Sequence, residues 1–180
     1  MRRALVIGLV SLVLTSLTAA AAEQPGLAEA MKPFRFLVGD WTGRGGSKAE
    51  QGMGAFSFQF ELQGTVLVRR NVADYPATAQ KPSVHHEDLM VIYSDPETKS
   101  LQAMYFDNEP HVIHYAVEVS PDGDTLTFVS DEAGAQPRFR LTYHKTGANT
   151  LSGKFEIAPP GKADEFANYM EWTARRKGRK

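Results

Sequence analysis

Residues Gly52–Leu62, GMGAFSFQFEL, alternate between apolar and polar side chains. The phenylalanines at 56, 58 and 60 and Leu62 fall on one face, and the residues between them fall on the other. Successive side chains of a β-strand point to opposite faces, so this rhythm predicts a strand with one buried face. A helix would instead place its apolar residues three or four positions apart.

The same two-residue rhythm recurs from this strand to the C-terminus. We predict ten strands, near Gly39–Gly45, Gly52–Leu62, Thr65–Asp74, His86–Ser94, Leu101–Asp107, Val112–Ser120, Thr125–Ser130, Arg138–Lys145, Thr150–Ile157 and Phe166–Arg175. Short turn-forming stretches separate most of them, which favours antiparallel neighbours. A long meander removes its two edges by closing on itself. The predicted fold is therefore all-β, a single up-and-down antiparallel β-barrel of about ten strands.

Two connecting segments add to this prediction. Leu27–Leu37 has room for a short N-terminal helix, which Pro33 limits in length. Tyr75–Val84 is the one long connection and contains two prolines. Long loops of this kind are often functional, and we expect this one to lie over a barrel mouth.

The N-terminus carries the three parts of a secretory signal peptide. Two arginines follow Met1, an apolar run covers Ala4–Leu17, and small residues fill Thr18–Ala22. We expect cleavage near Ala22 and export to the periplasm or the cell exterior. The apolar run is shorter than the roughly 20 residues that span a bilayer, so no transmembrane segment is expected. Residues 23–180 would then form one barrel domain that ends in a basic tail, residues 175–180.

Composition narrows the possible chemistry. The chain has no cysteine, which excludes disulfides, thiol nucleophiles and cysteine metal sites. It has 20 Lys and Arg against 21 Asp and Glu, and five of the basic residues lie in the tail, so the body is acidic. An acidic body argues against nucleic-acid binding, which relies on neutralising phosphates. No nucleophile elbow or phosphate-binding loop occurs, and no catalytic residues are predicted.

The segment Phe34–Gly45, FRFLVGDWTGRG, resembles the opening of lipocalin-like (calycin) barrels, where a short helix leads into a strand with Gly-x-Trp. Trp41 would plug one barrel end, and Gly39 and Gly43 would let the strand bend around it. An arginine from the last strand often covers that tryptophan in calycins, which implies Arg175 or Arg176 here, and Arg175 is our first choice.

Within that superfamily, Gly-x-Trp-x-Gly-x-Gly is most similar to nitrobindin-related barrels and to a bacterial family of secreted lipocalin-like domains of unknown function. Nitrobindins hold haem iron through a histidine on the closing strand. The predicted closing strand of this chain, Phe166–Arg176, has no histidine. The resemblance therefore does not carry haem ligation over by that route.

His114 is the first candidate for a ligand-binding group. It shares a strand face with Val112, Ala116 and Glu118, while the opposite face is more apolar. If the His114 face looks inward, the imidazole lies in a cavity and can bond a ligand, ligate haem or act as an acid or base. If it looks outward, His114 is solvated.

Arginines and tyrosines supply the other candidates. Arg70 and Arg140 lie within predicted strands, where a guanidinium can meet a carboxylate or simply face solvent. Tyr105 and Tyr115 are aromatic residues that can line a pocket or fill the core. No metal site is expected, because the neighbouring histidines His85 and His86 point to opposite faces. His86 and Asp88 remain as a same-face pair.

Three functional hypotheses follow. The first is a non-catalytic binding protein for a small apolar or amphipathic molecule, without a cofactor. The second is a haem protein or enzyme that uses His114. The third is a filled barrel that binds a partner protein, with Tyr75–Val84 as the contact surface. The sequence predicts no oligomeric state.

Overall fold

The computed structural model describes residues 29–45, 53–131 and 135–178. The predicted signal peptide, residues 1–22, and the last two residues of the basic tail lie outside the described residues. A 3-10 helix, Lys32–Leu37, precedes the strands β1 Gly39–Gly45, β2 Met53–Glu61, β3 Val66–Tyr75, β4 Val84–Ser94, β5 Leu101–Asp107, β6 Val112–Val119, β7 Thr125–Ser130, β8 Arg138–Gly147, β9 Thr150–Ala158 and β10 Ala167–Arg176. Within the described ranges, no helix is long and apolar enough to cross a membrane.

The strands form a closed antiparallel barrel in which each strand pairs with its sequence neighbours and β1 pairs with β10. The prediction of an all-β up-and-down barrel is confirmed, and its strand ends differ from the observed ones by at most two residues. Of the predicted helical segment Leu27–Leu37, residues 32–37 form the short 3-10 helix, and Leu27 and Ala28 lie outside the described residues. Closure leaves no exposed sheet edge, so the backbone hydrogen bonds of the wall are satisfied within the wall.

One end of the barrel is plugged by the 3-10 helix. Met31, Phe34 and Leu37 are almost completely buried there. The Trp41 indole nitrogen donates a 2.7 Å hydrogen bond to the Leu37 carbonyl, and its ring stacks on Phe56 at a centroid distance of 6.2 Å. We call this the closed end. The opposite end carries the connections 76–83, 108–111 and 159–166, and we call it the open end.

The seam between β1 and β10 is fastened by Arg176. Its guanidinium carbon lies 4.3 Å from the centre of the Trp41 ring, and its nitrogens donate to the carbonyls of Val38 and Phe36. Arg175 is exposed on the outer face. Strand alternation explains why Arg176, and not our first choice Arg175, covers the tryptophan, because Trp172, Ala174 and Arg176 share the inner face.

Glycines make room for the large side chains at this seam. Gly39 has φ +123°, and a Cβ there would lie 2.9 Å from an Arg176 nitrogen. At Gly153 in β9, a Cβ would lie 2.1 Å from two carbons of the Trp172 indole. A Cβ at Gly43 would touch the rings of Phe56 and Trp172 at 3.6 Å, an ordinary contact distance. Gly39 and Gly153 therefore let side chains of β10 lie directly against the barrel wall.

We predict that Arg176→Ala lowers the free energy of unfolding by about 2 kcal/mol, because it removes a cation–π contact and two hydrogen bonds. The matched change Arg175→Ala alters an exposed side chain and changes the free energy of unfolding by less than about 0.5 kcal/mol. Urea denaturation followed by circular dichroism measures both. Equal effects at the two positions contradict the assignment.

We also predict that Gly153→Ala lowers the melting temperature markedly, since the new methyl group overlaps the Trp172 indole and overpacking costs about 1–3 kcal/mol or more. Gly54→Ala in β2 is the control, because its Cβ would meet nothing closer than 3.5 Å. Differential scanning calorimetry of the two variants compares them. A Gly153 variant as stable as the Gly54 variant shows that Trp172 does not rest on Gly153.

Candidate functional site

The inner side chains near the open end differ from those near the closed end. Around the 3-10 helix Phe34, Leu37 and Trp41 are almost completely buried, and Phe60, Leu101 and Val119 on the inner faces at that end are partly buried. Towards the open end eight inward-facing side chains are only partly buried: Asn71, Tyr75, His86, Tyr105, Ile113, Phe139, Phe155 and Met170. Four of them, Tyr105, Ile113, Phe139 and Phe155, pack against the hydrophobic core. Because the wall is closed, solvent reaches these inner side chains through the mouth. We call this region the cup.

The cup has largely aromatic walls. Phe139 and Phe155 stack with ring centres 5.8 Å apart, and Tyr169 meets the Phe155 ring edge-on at 6.1 Å. On the other side the Tyr75 hydroxyl donates to the Met170 sulfur over 3.8 Å, a weak hydrogen bond. Such walls suit the apolar part of a small molecule, which gains affinity from buried area.

A polar network lies below these walls, and Asp88 is its centre. One Asp88 oxygen forms an ion pair with Arg69 Nη1, and Asn71 donates to the other over 2.8 Å. His86 Nε2 lies 3.3 Å from that second oxygen. The side chains of Arg69 and Asp88 are 9% and 3% exposed. A buried ion pair of this kind is retained only when hydrogen bonds satisfy it, which Asn71 and His86 do for the carboxylate.

The network continues to the mouth. His86 Nδ1 lies 3.3 Å from a Glu109 oxygen, and the Tyr105 hydroxyl lies 3.2 Å from His86 Nε2. Tyr105 also donates to Asp107 over 3.3 Å. Asp107 accepts from the backbone and the ring of His111 at 3.0 and 2.9 Å. The polar chain therefore runs from the interior to exposed residues at the rim.

Several side chains in and beside this network have pKa values shifted from their ordinary ones. The hydrogen bond to Asp88 raises the pKa of His86, partial burial opposes the rise, and Glu109 supports it. Burial alone would raise the pKa of Asp107, but hydrogen bonds from His111 outweigh it and lower the pKa. Burial raises the pKa of Tyr105 and of Tyr115, so both hydroxyls stay protonated at neutral pH.

The structure separates the predicted site residues into two groups. Tyr105 and Tyr115 face the interior, and Tyr115 is 3% exposed and meets the Phe128 ring edge-on. His114 and Arg70 are exposed on the outer face, so the second of the two alternatives for His114 holds. An exposed outer imidazole cannot ligate haem held inside the barrel. The prediction that His114 and Arg70 contact an interior ligand has no geometric basis here.

Arg140 also lies on the outer face, where it forms an ion pair with Glu156 over 2.7 Å. Its guanidinium carbon lies 4.3 Å from the centre of the Phe166 ring. Hydrogen bonding by Arg140 lowers the pKa of Glu156 to about 2, against the effect of burial and with help from Lys154. Arg140 therefore holds the segment before β10 against the wall and does not face the interior.

The predicted ligand-binding set left out Arg69, Asn71, Asp88 and Tyr143, which lie on the inner faces of β3, β4 and β8. The same-face pair of His86 and Asp88 was noted, and the structure places both on the inner face. The further signal was Arg69 beside Arg70, because one of two adjacent strand arginines must face inward. Within the described residues, no group of three or more acidic and histidine side chains is placed to hold a metal ion.

We predict that His86→Gln destabilises the protein by about 1 kcal/mol at pH 6 and by less at pH 9. A raised folded-state pKa stabilises the fold fully below the unfolded value near 6.5, and the contribution is lost as pH rises through the folded pKa. Urea denaturation at both pH values measures this. His114→Gln is the matched control on the outer face and changes little at either pH. A His86 effect that grows with pH contradicts the prediction.

The fold, and not any sequence comparison, bears on the resemblance to lipocalin-like barrels. No family model matches the chain, and no curated protein sequence matches it. The closed ten-stranded antiparallel barrel is compatible with a lipocalin-like barrel. The fold shown is therefore a closed ten-stranded antiparallel barrel, and the likeness to lipocalin-like and nitrobindin-related barrels stays a resemblance.

Proposed function

We propose that the protein is a non-catalytic binding protein for a small apolar or amphipathic molecule, and that the molecule occupies the cup. The observation that carries the proposal is the contrast between the two ends of the barrel. At the closed end Phe34, Leu37 and Trp41 are almost completely buried, whereas at the open end the inner aromatic and aliphatic side chains of Tyr105, Ile113 and Phe155 remain partly exposed. Partly wetted inner aromatic groups gain most from an apolar occupant.

The chemistry of the cup supports binding more than catalysis. Both ring nitrogens of His86 face carboxylate oxygens, and the carboxylate of Asp88 is already engaged by Arg69 and Asn71. A general base needs a free lone pair directed at a substrate. These groups satisfy one another and act as a fixed polar floor. We expect export by the predicted signal peptide, residues 1–22, so the proposed binding function would act in the periplasm or outside the cell.

We predict that filling the cup weakens binding. Ile113 faces the interior and Val112, its neighbour, is exposed on the outer face. Ile113→Trp adds volume inside the cup, whereas Val112→Trp adds the same volume outside. With N-phenyl-1-naphthylamine as an uncharged fluorescent probe, we expect at least a tenfold weaker Kd for Ile113→Trp and an unchanged Kd for Val112→Trp.

A panel of lipids, haem and polyphenols, tested for displacement of the probe and for a rise in melting temperature, then ranks natural ligand classes. Far-ultraviolet circular dichroism shows that each variant is folded before it is titrated. Lack of probe binding by the unmodified protein, or equal binding by both tryptophan variants, rules the cup out as the site.

A further inference from the structure

An apolar set of side chains covers the outside of the barrel in the middle of β3, β4 and β5. Strand pairing puts Val68 opposite Val91 and Val91 opposite Met104. The chain neighbours Leu67 and Met90 are fully buried inside, so alternation places Val68 and Val91 on the outside. We call the whole set the outer patch: Val68, Leu89, Val91, Tyr93, Met104 and Phe106.

The outer patch is unlike the outer wall on the opposite side of the barrel. On β8, β9 and β10 the outward-facing side chains are mostly charged or hydroxyl-bearing, as at Thr142, Lys154 and Thr173. Strands that face water on one side normally carry polar residues there, whereas strands with apolar residues on both faces are typical of sheets covered on both sides. Phe106 is nevertheless 37% exposed. The outer patch therefore has the composition of a covered face, although part of it is open to solvent.

Two unpaired charges lie at opposite corners of this face. Arg70 on β3 is level with Leu89 and Phe106, and Glu118 lies on β6 nearer the closed end. Both residues are exposed, and within the described part of the chain neither forms an ion pair. Ideal strand spacings separate them by about 25 Å along the wall. The face thus carries a positive charge at one corner and a negative charge at the other.

A face of this kind is complementary to a second copy of itself. In a two-fold dimer every contact occurs twice, with the two residues exchanged between the subunits. A two-fold axis that crosses the middle of the face brings Arg70 of each copy opposite Glu118 of the partner subunit. The apolar side chains then meet between the two ion pairs, which is the apolar core and polar rim that protein interfaces share.

The size of the face predicts a weak dimer. The four strands between Arg70 and Glu118 cover about 24 Å by 19 Å, roughly 450 Å² per copy by ideal strand spacings. Stable specific interfaces bury about 800 Å² per partner, and transient ones bury less. We therefore expect a dimer that forms only at micromolar or higher concentrations of the protein.

We propose that the outer patch is a self-association surface, at which two copies of this chain pack wall to wall as a weak two-fold dimer. The outer patch lies on the side of the barrel and the mouth lies at its end, so both cups stay open in the dimer. This inference goes beyond the proposed binding function and does not depend on it.

Sedimentation velocity at increasing protein concentration measures the association. The unmodified protein should pass from monomer to dimer as its concentration rises. Phe106→Asp should weaken the dimer Kd at least tenfold, because it places a carboxylate without a partner in the apolar centre. Thr173→Asp is the matched control on the outer face of β10 and should leave the Kd unchanged. Circular dichroism shows whether both variants are folded.

A charge exchange tests the pairing without the Phe106 variant. Arg70→Glu and Glu118→Arg each place like charges opposite each other in a homodimer, so each variant alone should associate at least tenfold more weakly. In an equal mixture of the two variants both pairs are again opposite in charge, and the Kd of the mixed dimer should return close to the unmodified value. Arg175→Glu mixed with Glu171→Arg makes the same charge changes on β10 and controls for general attraction. Each of these control variants should dimerise like the unmodified protein.

Several outcomes overturn the proposal. A monomer at every concentration does so, and so does a Phe106→Asp dimer as strong as the unmodified one. A mixture of Arg70→Glu and Glu118→Arg that associates no better than either variant alone does the same. Binding of a monomer to phosphatidylcholine vesicles assigns the outer patch to a lipid surface instead. Because Phe106 faces away from the cup, N-phenyl-1-naphthylamine should bind Phe106→Asp as it binds the unmodified protein, so these outcomes are separate from those for the cup.

Discussion

The seam between β1 and β10 is the contact on which the rest of the barrel depends. Ten strands in chain order close only if the last strand pairs with the first, and here Arg176 lies over Trp41 while it bonds the backbone that leads into β1. The same tryptophan bonds the carbonyl of Leu37. One tryptophan thus joins the first strand, the last strand and the end plug, and Gly39 leaves room for the Arg176 side chain that covers it.

Closure gives every strand an inner and an outer face. Because the 3-10 helix plugs one end of the barrel, the inner side chains have different surroundings at the two ends. The aromatic core fills the end next to the 3-10 helix. At the other end the loops leave inner side chains partly exposed, and the polar network around Asp88 lies between the two regions. Charged groups are stable there because each meets an opposite charge or a hydrogen-bond partner, so the interior is polar while its charges largely balance.

The sequence predicted the strands well because alternation is a local property. It was harder to predict which face of each strand points into the barrel. In β6 the face with Tyr115 is the more apolar one and points inward, so the hydrophobic pattern placed His114 outside. In β3 that rule fails, because the inner face carries Arg69 and Asn71 while the outer face carries three valines, at 66, 68 and 72. Only the closed barrel shows that Asp88 forms an ion pair with Arg69 and that Tyr143 lies beside it.

The polar interior therefore has a physical consequence for function. A barrel selected only for stability would place apolar side chains on the inner face of β3, since burying Arg69 requires Asp88 and Asn71 around it and still leaves Nε unpaired. Natural proteins keep such arrangements where binding or activity needs them, at some expense of stability.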